Sequence, residues 1–581
     1  MSSNGKVSHV GLASEDSDPA APTPKPAPAT RAIDDNNATA NDPEHGTVSG
    51  FKPDWRFWLI YISLCLVTFA SAVDNTIVFT ALPTITRALG GGSQYVWIAN
   101  SYVIASTAIQ PLCGQLSNVL GRRGPSLFFV ALFTLGSGIA GGANGVAMLI
   151  AGRTIQGIGC GGIFVLLDIV VCDLVPLRER GKYLGPLLAA GGLGSALGPL
   201  IGGALTEASW RWVFYITIPF SGLTLVTMFA FLRLHHVRDV SWKTRLVRVD
   251  LPGNSLFIAS ITAVLLGLIM GGKEYSWASW HVILPIVLGF VGWMLFHIYQ
   301  MSPWCKEPSI PPWLFANRTS AVGFILSFLS GVLLEWIVYW YPLYFQALLG
   351  KSPLMSGVDT LPFNVLLMPA AMVSGILMSK TGAYRPFHAA AYVLLSIGLG
   401  LSSMLDATSS TAEWAIFQII LALGLGCTFV TLLPAIQSAL PESDVATATA
   451  TYSFFRSFGF IWGVTIPSLI LDNHINNGLS SVDDANVRDQ LAGGGAYQFA
   501  AYGGVQALPD GVRQQVTALY AGTFSATWLA ALAFSLLGFL LVFVEKHVEM
   551  RKELDTEFGI EEKKKTEKME SGGNIVDESR K

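Results

Sequence analysis

Long apolar blocks alternate with short polar segments over most of the chain. Fourteen blocks can be distinguished, near residues 57–82, 96–116, 126–142, 146–172, 184–205, 212–232, 251–270, 282–299, 320–345, 357–378, 387–405, 414–437, 446–471 and 520–544. An α-helix needs about 20 apolar residues to cross the hydrocarbon core of a bilayer. The pattern therefore predicts an all-α polytopic membrane protein with fourteen transmembrane helices.

Two short motifs recur at nearly the same distance along the chain. GQLSNVLG starts at Gly114 and closes the second block, and GILMSKTG starts at Gly375 and closes the tenth, 261 residues later. GIGC at Gly157 in the fourth block matches GLGC at Gly424 in the twelfth, 267 residues later. The matches indicate two parallel six-helix bundles with helices 7 and 8 inserted between them, which is a transporter architecture.

The polar segments complete the predicted division of the chain. The N-terminal segment is rich in Pro, Ala, Thr, Asp and Asn, cannot build a core, and has no cleavable signal pattern. We predict a disordered cytoplasmic tail at 1–52, an N-terminal six-helix bundle at 53–235 and a linker with helices 7 and 8 at 236–312. A C-terminal six-helix bundle follows at 313–545 and includes a long extracellular loop at 472–518. A charged, solvated cytoplasmic tail is predicted at 546–581.

Basic residues are concentrated in alternate connections between the blocks. Lys and Arg are much more frequent after even-numbered blocks than after odd-numbered ones. Because positive charge remains on the cytoplasmic side, both termini are predicted to be cytoplasmic. The sequons at Asn37 and Asn317 would then lie inside and stay unglycosylated.

The fifth block contains three glycines spaced four residues apart. Gly194, Gly198 and Gly202 share one helix face, so a neighbouring backbone can approach closely, and Pro199 is expected to kink the helix. We interpret this block as a moving part of the protein. A static packing seam is the alternative.

Charges within membrane spans are costly, and each is a candidate functional residue. Asp74 in the first block and Arg153 in the fourth lie at similar depth. A buried carboxylate facing a guanidinium can act as a proton switch, because separating the two charges changes the proton affinity of the acid. A fixed structural ion pair is the alternative.

Two further spans carry charges near mid-membrane. Glu335 in the ninth block and Arg456 in the thirteenth either pair with each other or face substrate. The aromatic run from Tyr339 to Phe345 is expected to form an interfacial belt, or in part the wall of a cavity.

Four charges lie towards the inner ends of the spans. Asp168 and Asp173 in the fourth block, with Arg122 and Arg123 in the neighbouring connection, form either a cytoplasmic latch or a solvated surface pair.

Composition supports a membrane protein without catalytic chemistry. Of the 581 residues, 51% are hydrophobic and 13% are charged, and the net charge is −3; a soluble chain carries about 25% charged residues. The six cysteines form no CxxC pair, and no HExxH, GxSxG or Walker A motif occurs. We expect no enzyme activity, cofactor, metal or nucleic-acid partner.

Several motifs carry a family resemblance. GQLSNVLGRR at 114–123, GRTIQG at 152–157, the glycine-rich segment 194–203 and DNTIV at 74–78 resemble signatures of the major facilitator superfamily, specifically its fourteen-helix drug:proton antiporter branch. CDLVPLRERGKY, SWRWVFYITIP, YPLYFQ and SGVDTLP resemble its fungal members. The resemblance covers about residues 55–545. Asn118 stands where an aspartate is usual, and Thr217 where an asparagine is common.

The resemblance implies export of hydrophobic or amphipathic small molecules, such as drugs or mycotoxins, in exchange for protons. It assigns the motif of Arg153 and Gln156 to proton coupling. The implied hinge and gate residues are Gly194, Gly198, Pro199, Gly202 and Gly203 for the hinge, and Gly114, Asn118, Gly121, Arg122 and Arg123 for the gate.

The expected protein is a monomer in the plasma membrane that contacts lipid, protons and a small-molecule substrate. A vacuolar membrane, and a vacuolar, siderophore or amino-acid carrier of the same fold, are the alternatives. A transporter-shaped sensor would need a substantial signalling domain, which the short tails do not supply.

Overall fold

The computed structural model describes residues 53–89, 95–232, 248–272, 275–501 and 503–551. Within these ranges the secondary structure is helical, apart from an isolated bridge between Gly271 and Tyr275. The predicted all-α fold is therefore confirmed. The N-terminal tail with Asn37, most of the connection after the sixth block, and residues 552–581 lie outside the described residues.

Every predicted block coincides with a helix or a pair of consecutive helices. We number them by block, as follows: α1 Trp55–Leu89, α2 Tyr95–Ala108 and Gln110–Leu120, α3 Arg123–Gly141, α4 Val146–Leu174, α5 Arg180–Ala208, α6 Trp212–Tyr215 and Thr217–Phe231, α7 Leu251–Met270, α8 Trp280–Gln300, α9 Arg318–Ala347, α10 Pro353–Asp359 and Leu361–Thr381, α11 Arg385–Ser402, α12 Thr411–Ser438, α13 Val445–Gly478 and α14 Asp510–Val542.

Not every block is a continuous span. Within the described residues, eleven helices are long and apolar enough to cross a membrane, and α2, α5 and α11 are not among them. α2 is interrupted at Ile109, and its second part begins at Gln110 with Pro111 in the first turn. Proline lacks the backbone donor that would continue the first part of the helix. The count of fourteen crossings therefore stays a prediction.

The two bundles are related by equivalent glycine contacts. A Cβ atom on Gly114 of α2 would collide with Ala450 of α13, and one on Gly375 of α10 would collide with the backbone of Gly181 in α5. α2 therefore contacts α13 in the same way that α10 contacts α5. The two contacts are equivalent because α2 corresponds to α10, and α5 to α13, in the two bundles. The pairing at an offset of 261 follows the structural repeat.

The second predicted match needs a correction of register. Gly159 and Gly424 approach α3 and α11, at Phe133 and Leu395. Gly161 approaches α2, and Gly426 approaches Ala370 of α10. Equivalent glycines are therefore 265 residues apart, and the predicted offset of 267 is wrong. The GxGC motifs match as sequences. However, the positions that require glycine are those where a neighbouring helix comes close, and these are two residues out of register with the motif match.

The inserted helices α7 and α8 pack across one seam between the bundles. The ring of Phe257 in α7 lies 5.0 Å from that of Phe454 in α13, and Trp293 of α8 lies 5.5 Å from Phe458. On the other side, the Asn254 side chain of α7 donates to Gln115 of α2 at 2.8 Å. The insertion is thus tied to one helix from each bundle.

Two segments expected to be irregular are more ordered than predicted. Helix α13 continues to Gly478 and α14 begins at Asp510, and two short helices, Ala485–Leu491 and Ala496–Ala501, lie between them. Hydropathy identifies only the apolar part of each helix, so it predicts the polar ends of α13 and α14 as loop. Residues 546–551, predicted as the start of the solvated tail, pack against the C-terminal bundle.

Candidate functional site

A fully buried ion pair lies inside the N-terminal bundle. Nη1 of Arg153 donates to Oδ2 of Asp74 at 2.7 Å, and Nε2 of Gln156 donates to Oδ1 at 2.6 Å. The exposed fractions are 0% for Asp74, 1% for Arg153 and 0% for Gln156. The structure therefore pairs Asp74 with Arg153, as their depth predicts, and adds Gln156, which the resemblance assigns to proton coupling.

Four helices hold this group in place. Gln156 follows Arg153 by three residues on α4, which puts both side chains on one helix face. The Arg153 guanidinium lies 4.2 Å from the centre of the Tyr102 ring in α2 and donates to the Ile98 carbonyl at 3.3 Å. Gln156 also donates to Ser137 of α3 at 2.8 Å. Tyr102 and Ser137 are the contributors that sequence reasoning missed.

Glycines allow these helices to approach so closely. A Cβ atom on Gly136 of α3 would meet the backbone of Gln156, and one on Gly157 of α4 would lie 2.9 Å from the Cα atom of Tyr102. Such distances exclude any side chain without movement of the helices. The glycines next to Arg153 and Gln156 are thus required for packing around the buried charges.

Arg153 has partners besides Asp74, namely the Tyr102 ring, the Ile98 carbonyl and the Gln156 side chain. A neutral Asp74 would no longer attract Arg153 electrostatically, whereas Tyr102, Ile98 and Gln156 would still hold the guanidinium. A buried charge whose partner is neutralised is strongly destabilised.

The two charges expected in the C-terminal bundle do not pair with each other. Glu335 of α9 is half-buried, and no ion pair or hydrogen bond joins it to any residue in the described ranges. Arg456 of α13 instead lies 3.9 Å from Asp168 of α4, measured from Nη2 to Oδ2. Its guanidinium also lies 4.9 Å from the centre of the Tyr452 ring, and Nη1 donates to the hydroxyl of that residue at 3.1 Å.

The predicted inner cluster is divided between separate contacts. Arg122 binds Asp173, with 2.7 Å between Nε and Oδ2, and both side chains are buried. Asp168 is not part of this pair, since it faces Arg456. Arg123 donates to the Phe229 carbonyl at 2.6 Å and lies over its ring. A solvated surface pair is thus the wrong interpretation for Arg122 and Asp173.

Asn118 joins the two bundles. Its amide donates to the Thr447 hydroxyl of α13 at 2.7 Å, while its carbonyl oxygen accepts from Arg122 at 2.9 Å. An amide can do both at once, whereas an ionised aspartate can only accept. Gly121 ends α2 with a φ of 82°, a conformation that glycine adopts without strain.

Further contacts between the bundles involve residues that the sequence analysis did not identify. We call the end of the molecule that carries Arg122 and Arg178 the inner end. There, Arg180 binds Glu442 at 2.6 Å and the Gln437 side chain at 2.7 Å. Arg178 donates to the Ser379 carbonyl at 2.8 Å. From the sequence, basic residues of these connections indicate only the orientation in the membrane.

Glycines of α5 let it approach α10 closely. Cβ atoms on Gly181 and Gly185 would contact Gly375 and Met372 at 3.1 Å. Further along the helices, a Cβ atom on Gly192 would lie 2.9 Å from Cγ of Met368. Together with the ion pair of Arg180 and the hydrogen bonds of Asn118 and Arg178, these contacts close the bundles against each other at the inner end.

The predicted hinge forms a close helix contact. Gly194 faces Phe69 and Ala72 of α1, and Gly198 faces Val73 and Thr76. Helix α5 is continuous through Pro199, and Gly202 is buried. A Cβ atom on Gly203 would meet nothing within 4 Å. The glycine face is a packing seam on α1, and a hinge role stays a prediction.

The aromatic run of α9 belongs mainly to the core. Trp340, Tyr341 and Tyr344 are at most 1% exposed, and the Tyr341 ring lies 4.9 Å from that of Trp528 in α14. The belt interpretation is wrong for these residues, because hydropathy cannot tell which face of an apolar helix is covered. Tyr339 is half-buried and stacks on Tyr497 at 5.3 Å.

No group of three or more His, Cys, Asp or Glu side chains in the described ranges is arranged to bind a metal ion.

Comparison with known proteins places this arrangement in a family. A model of the Major Facilitator Superfamily matches residues 64–464. The MFS efflux transporter aclA of Aspergillus oryzae is 49% identical over 530 residues, covering 91% of this chain and 96% of that protein. The MFS-type efflux pump LUC4 of Fusarium sp is 43% identical, with 94% and 97% coverage. The efflux pump FUS6 of Gibberella fujikuroi is 44% identical, with 90% and 95% coverage.

Solved structures share the fold at low sequence identity. The human organic anion transporter MFSD10 (TETRAN) aligns with a TM-score of 0.54 and 15% identity, over 84% of this chain and 100% of that one. The proton:xylose symporter XylE aligns with a TM-score of 0.53 and 16% identity, over 86% and 98%.

Proposed function

The chain belongs to the major facilitator superfamily, and on that premise we propose that it exports amphipathic small molecules across a membrane in exchange for protons. The relatives named above are called efflux transporters or efflux pumps. Their similarity extends over nine-tenths of this chain, so it includes both bundles and the inserted helices. Fungal secondary metabolites and toxins are the proposed substrate class. The chain is a transporter and needs no cofactor beyond the proton gradient.

Proton coupling is supported above all by the buried Asp74–Arg153–Gln156 group. Its carboxyl is the proposed proton carrier, Arg153 is the charge that senses its protonation, and Gln156 holds both. One proton moving inward yields about 2.3 kcal/mol per 100 mV and about 1.4 kcal/mol per pH unit. These amounts are sufficient to drive tenfold or greater accumulation of a neutral substrate outside.

The cycle proceeds from the conformation described. With the inner end closed by the contacts of Asn118, Arg180 and Arg456, substrate leaves towards the outer side. A proton then reaches Asp74 and neutralises it. Arg153 loses its ionic partner, α1 shifts relative to α4, and the inner contacts open. Release of the proton inside restores the ion pair. Glu335, half-buried and without a cationic partner in the described ranges, is the proposed contact for substrate or a second proton.

The proposed location is the plasma membrane, with both termini in the cytoplasm and the inner end facing it. The basic residues near this end support that orientation, because positively charged connections stay cytoplasmic.

Accumulation in cells tests the direction and the energy source. A panel of amphipathic toxins is offered to cells with and without the protein, each with and without a protonophore. We expect expression to lower the accumulation of at least one compound, and the protonophore to abolish the difference. Higher accumulation upon expression would establish uptake, and sequestration inside vacuoles would establish a vacuolar carrier.

A further inference from the structure

The chain does not leave the bundle where α14 ends. Residues 545–551, which we call the C-terminal strap, run back over the inner end of the C-terminal bundle. Glu545 starts the strap and is buried at 2% exposure. Both of its carboxylate oxygens lie 3.0 Å from Nδ1 of His388 in α11. The strap is thus anchored at its first residue.

Backbone hydrogen bonds fix the middle of the strap. The Lys546 carbonyl accepts from the hydroxyls of Thr319 at 3.0 Å and Tyr384 at 2.6 Å. The Lys546 amide donates back to Thr319 at 3.1 Å, and the Val548 amide donates to Tyr384 at 3.0 Å. Side chains from α9 and from the start of α11 therefore replace the helical partners that the chain loses after α14.

The far end of the strap reaches the contact between the two bundles. Met550 is 2% exposed and shares a buried apolar cluster with Leu177 of the N-terminal bundle and Met378 of α10. Nη2 of Arg551 binds Glu442 at 3.0 Å. Glu442 is the residue that also receives Arg180 from α5.

We propose that the C-terminal strap is a built-in lock of the inner-closed conformation, in which Arg551 acts as a positioning residue for the Glu442–Arg180 ion pair and Met550 bridges to the N-terminal bundle. The proposal needs only that the bundles separate at the inner end during transport, and it is independent of which residue carries the proton.

The charge arrangement explains why Arg551 acts through Glu442. One carboxylate oxygen, Oε1, binds Arg180, and the other, Oε2, binds Arg551. Arg551 also donates to the Leu440 carbonyl at 3.0 Å, so it ties Glu442 to the inner end of α12. Glu442 is then held in the orientation that Arg180 requires. Because Arg180 is fully buried, losing that orientation raises the free energy of the closed state.

Met550 acts through the buried apolar cluster that it shares with Leu177. Leu177 moves with the N-terminal bundle, whereas the strap is attached to α14 of the C-terminal bundle. Inner opening separates Met550 from Leu177 and exposes apolar surface to water, which costs free energy in proportion to the area exposed.

Distance measurements between spin labels at the inner end test the lock. Labels are attached at cysteines replacing Lys182 and Lys380, which are exposed on α5 and α10, in the otherwise full-length protein. We expect one dominant short distance, and a longer-distance population that increases about two- to fivefold in Arg551→Ala, the range of a partly exposed ion pair. Met550→Ala is expected to shift the population in the same direction, and Arg551→Lys to restore most of the short distance.

Matched controls separate a lock from general stabilisation. Arg513→Ala removes an arginine that pairs with Asp510 at the outer end, and is expected to leave the distances unchanged. The unfolding temperature is measured for each variant. Distances that do not change in folded Arg551→Ala and Met550→Ala proteins would overturn the proposal, and so would a lower unfolding temperature without a shift in population.

Discussion

At the scale of single residues, the buried charges explain what sequence reasoning can and cannot locate. Asp74 and Arg153 were paired correctly from their depth in the apolar blocks, because charges in lipid must find partners. The alternatives left for Glu335 and Arg456 could not be resolved in the same way. Depth says nothing about the direction in which a side chain points, and Arg456 faces Asp168 of the other bundle.

Removing one partner of the central ion pair is expected to destabilise the protein strongly. Arg153→Ala leaves a buried, uncompensated Asp74 and should lower the free energy of unfolding by about 3–5 kcal/mol. Adding Asp74→Asn should recover part of this loss, because the unpaired charge disappears. Denaturant titration of the single and double variants in detergent measures both effects. A double variant less stable than Arg153→Ala would show that Asp74 is not the charge compensated by Arg153.

A cysteine outside the spans gives a test based on pH. Burial, together with the Asp250 carboxylate 3.5 Å away, raises the pKa of the Cys305 thiol to about 12. The reactive thiolate is then on the order of 10⁻⁴ of the total at pH 8, whereas a free cysteine is about a quarter ionised. Maleimide labelling of Cys305 should be slow at pH 8 and accelerate about tenfold per pH unit.

The control for this labelling is Asp250→Asn. The amide keeps a side-chain oxygen that can cap α7 but removes the negative charge, so labelling should become faster at a given pH. Labelling of the unchanged protein at the rate of a free cysteine would contradict the assignment.

At the scale of helices, periodicity and length located all fourteen blocks. Periodicity and length did not predict features that depend on neighbouring segments, such as the interruption of α2 and the polar extensions of α13 and α14. The GxGC repeat shows the same limit. The sequence match aligned Gly157 with Gly424. The structurally equivalent pair is Gly159 and Gly424, because glycine is needed where another helix comes close.

The glycine face of α5 yields a paired prediction. Gly198→Ala places a methyl group against Val73 and Thr76 of α1, so the helices must separate, and we expect a loss of about 1–3 kcal/mol. Gly203→Ala meets open space, and should be neutral or slightly stabilising because alanine favours a helix. Thermal unfolding of the two variants measures the difference. Equal effects would show that the face does not pack closely.

At the scale of the whole molecule, ion pairs and hydrogen bonds connect the two bundles at the inner end. The sequence predicted both bundles from repeated motifs, and the resemblance indicated gate residues around Asn118. It did not locate Arg180, Glu442 or Arg551, because an ion pair between segments hundreds of residues apart leaves no local pattern. These contacts define the conformation, closed at the inner end.

The central claim is that Asp74 couples this conformational change to protons. Purified protein is reconstituted in liposomes with an internal pH-sensitive dye, and a compound identified by the accumulation assay is supplied on one side. The protein should move protons opposite to the compound. Asp74→Asn loses stability but keeps an amide oxygen that can accept from Arg153, so the folded fraction, isolated by gel filtration, should still exchange the compound without proton movement. Asp510→Asn, at the exposed outer end, should behave as the unchanged protein. Undiminished proton counterflow in Asp74→Asn would contradict the account.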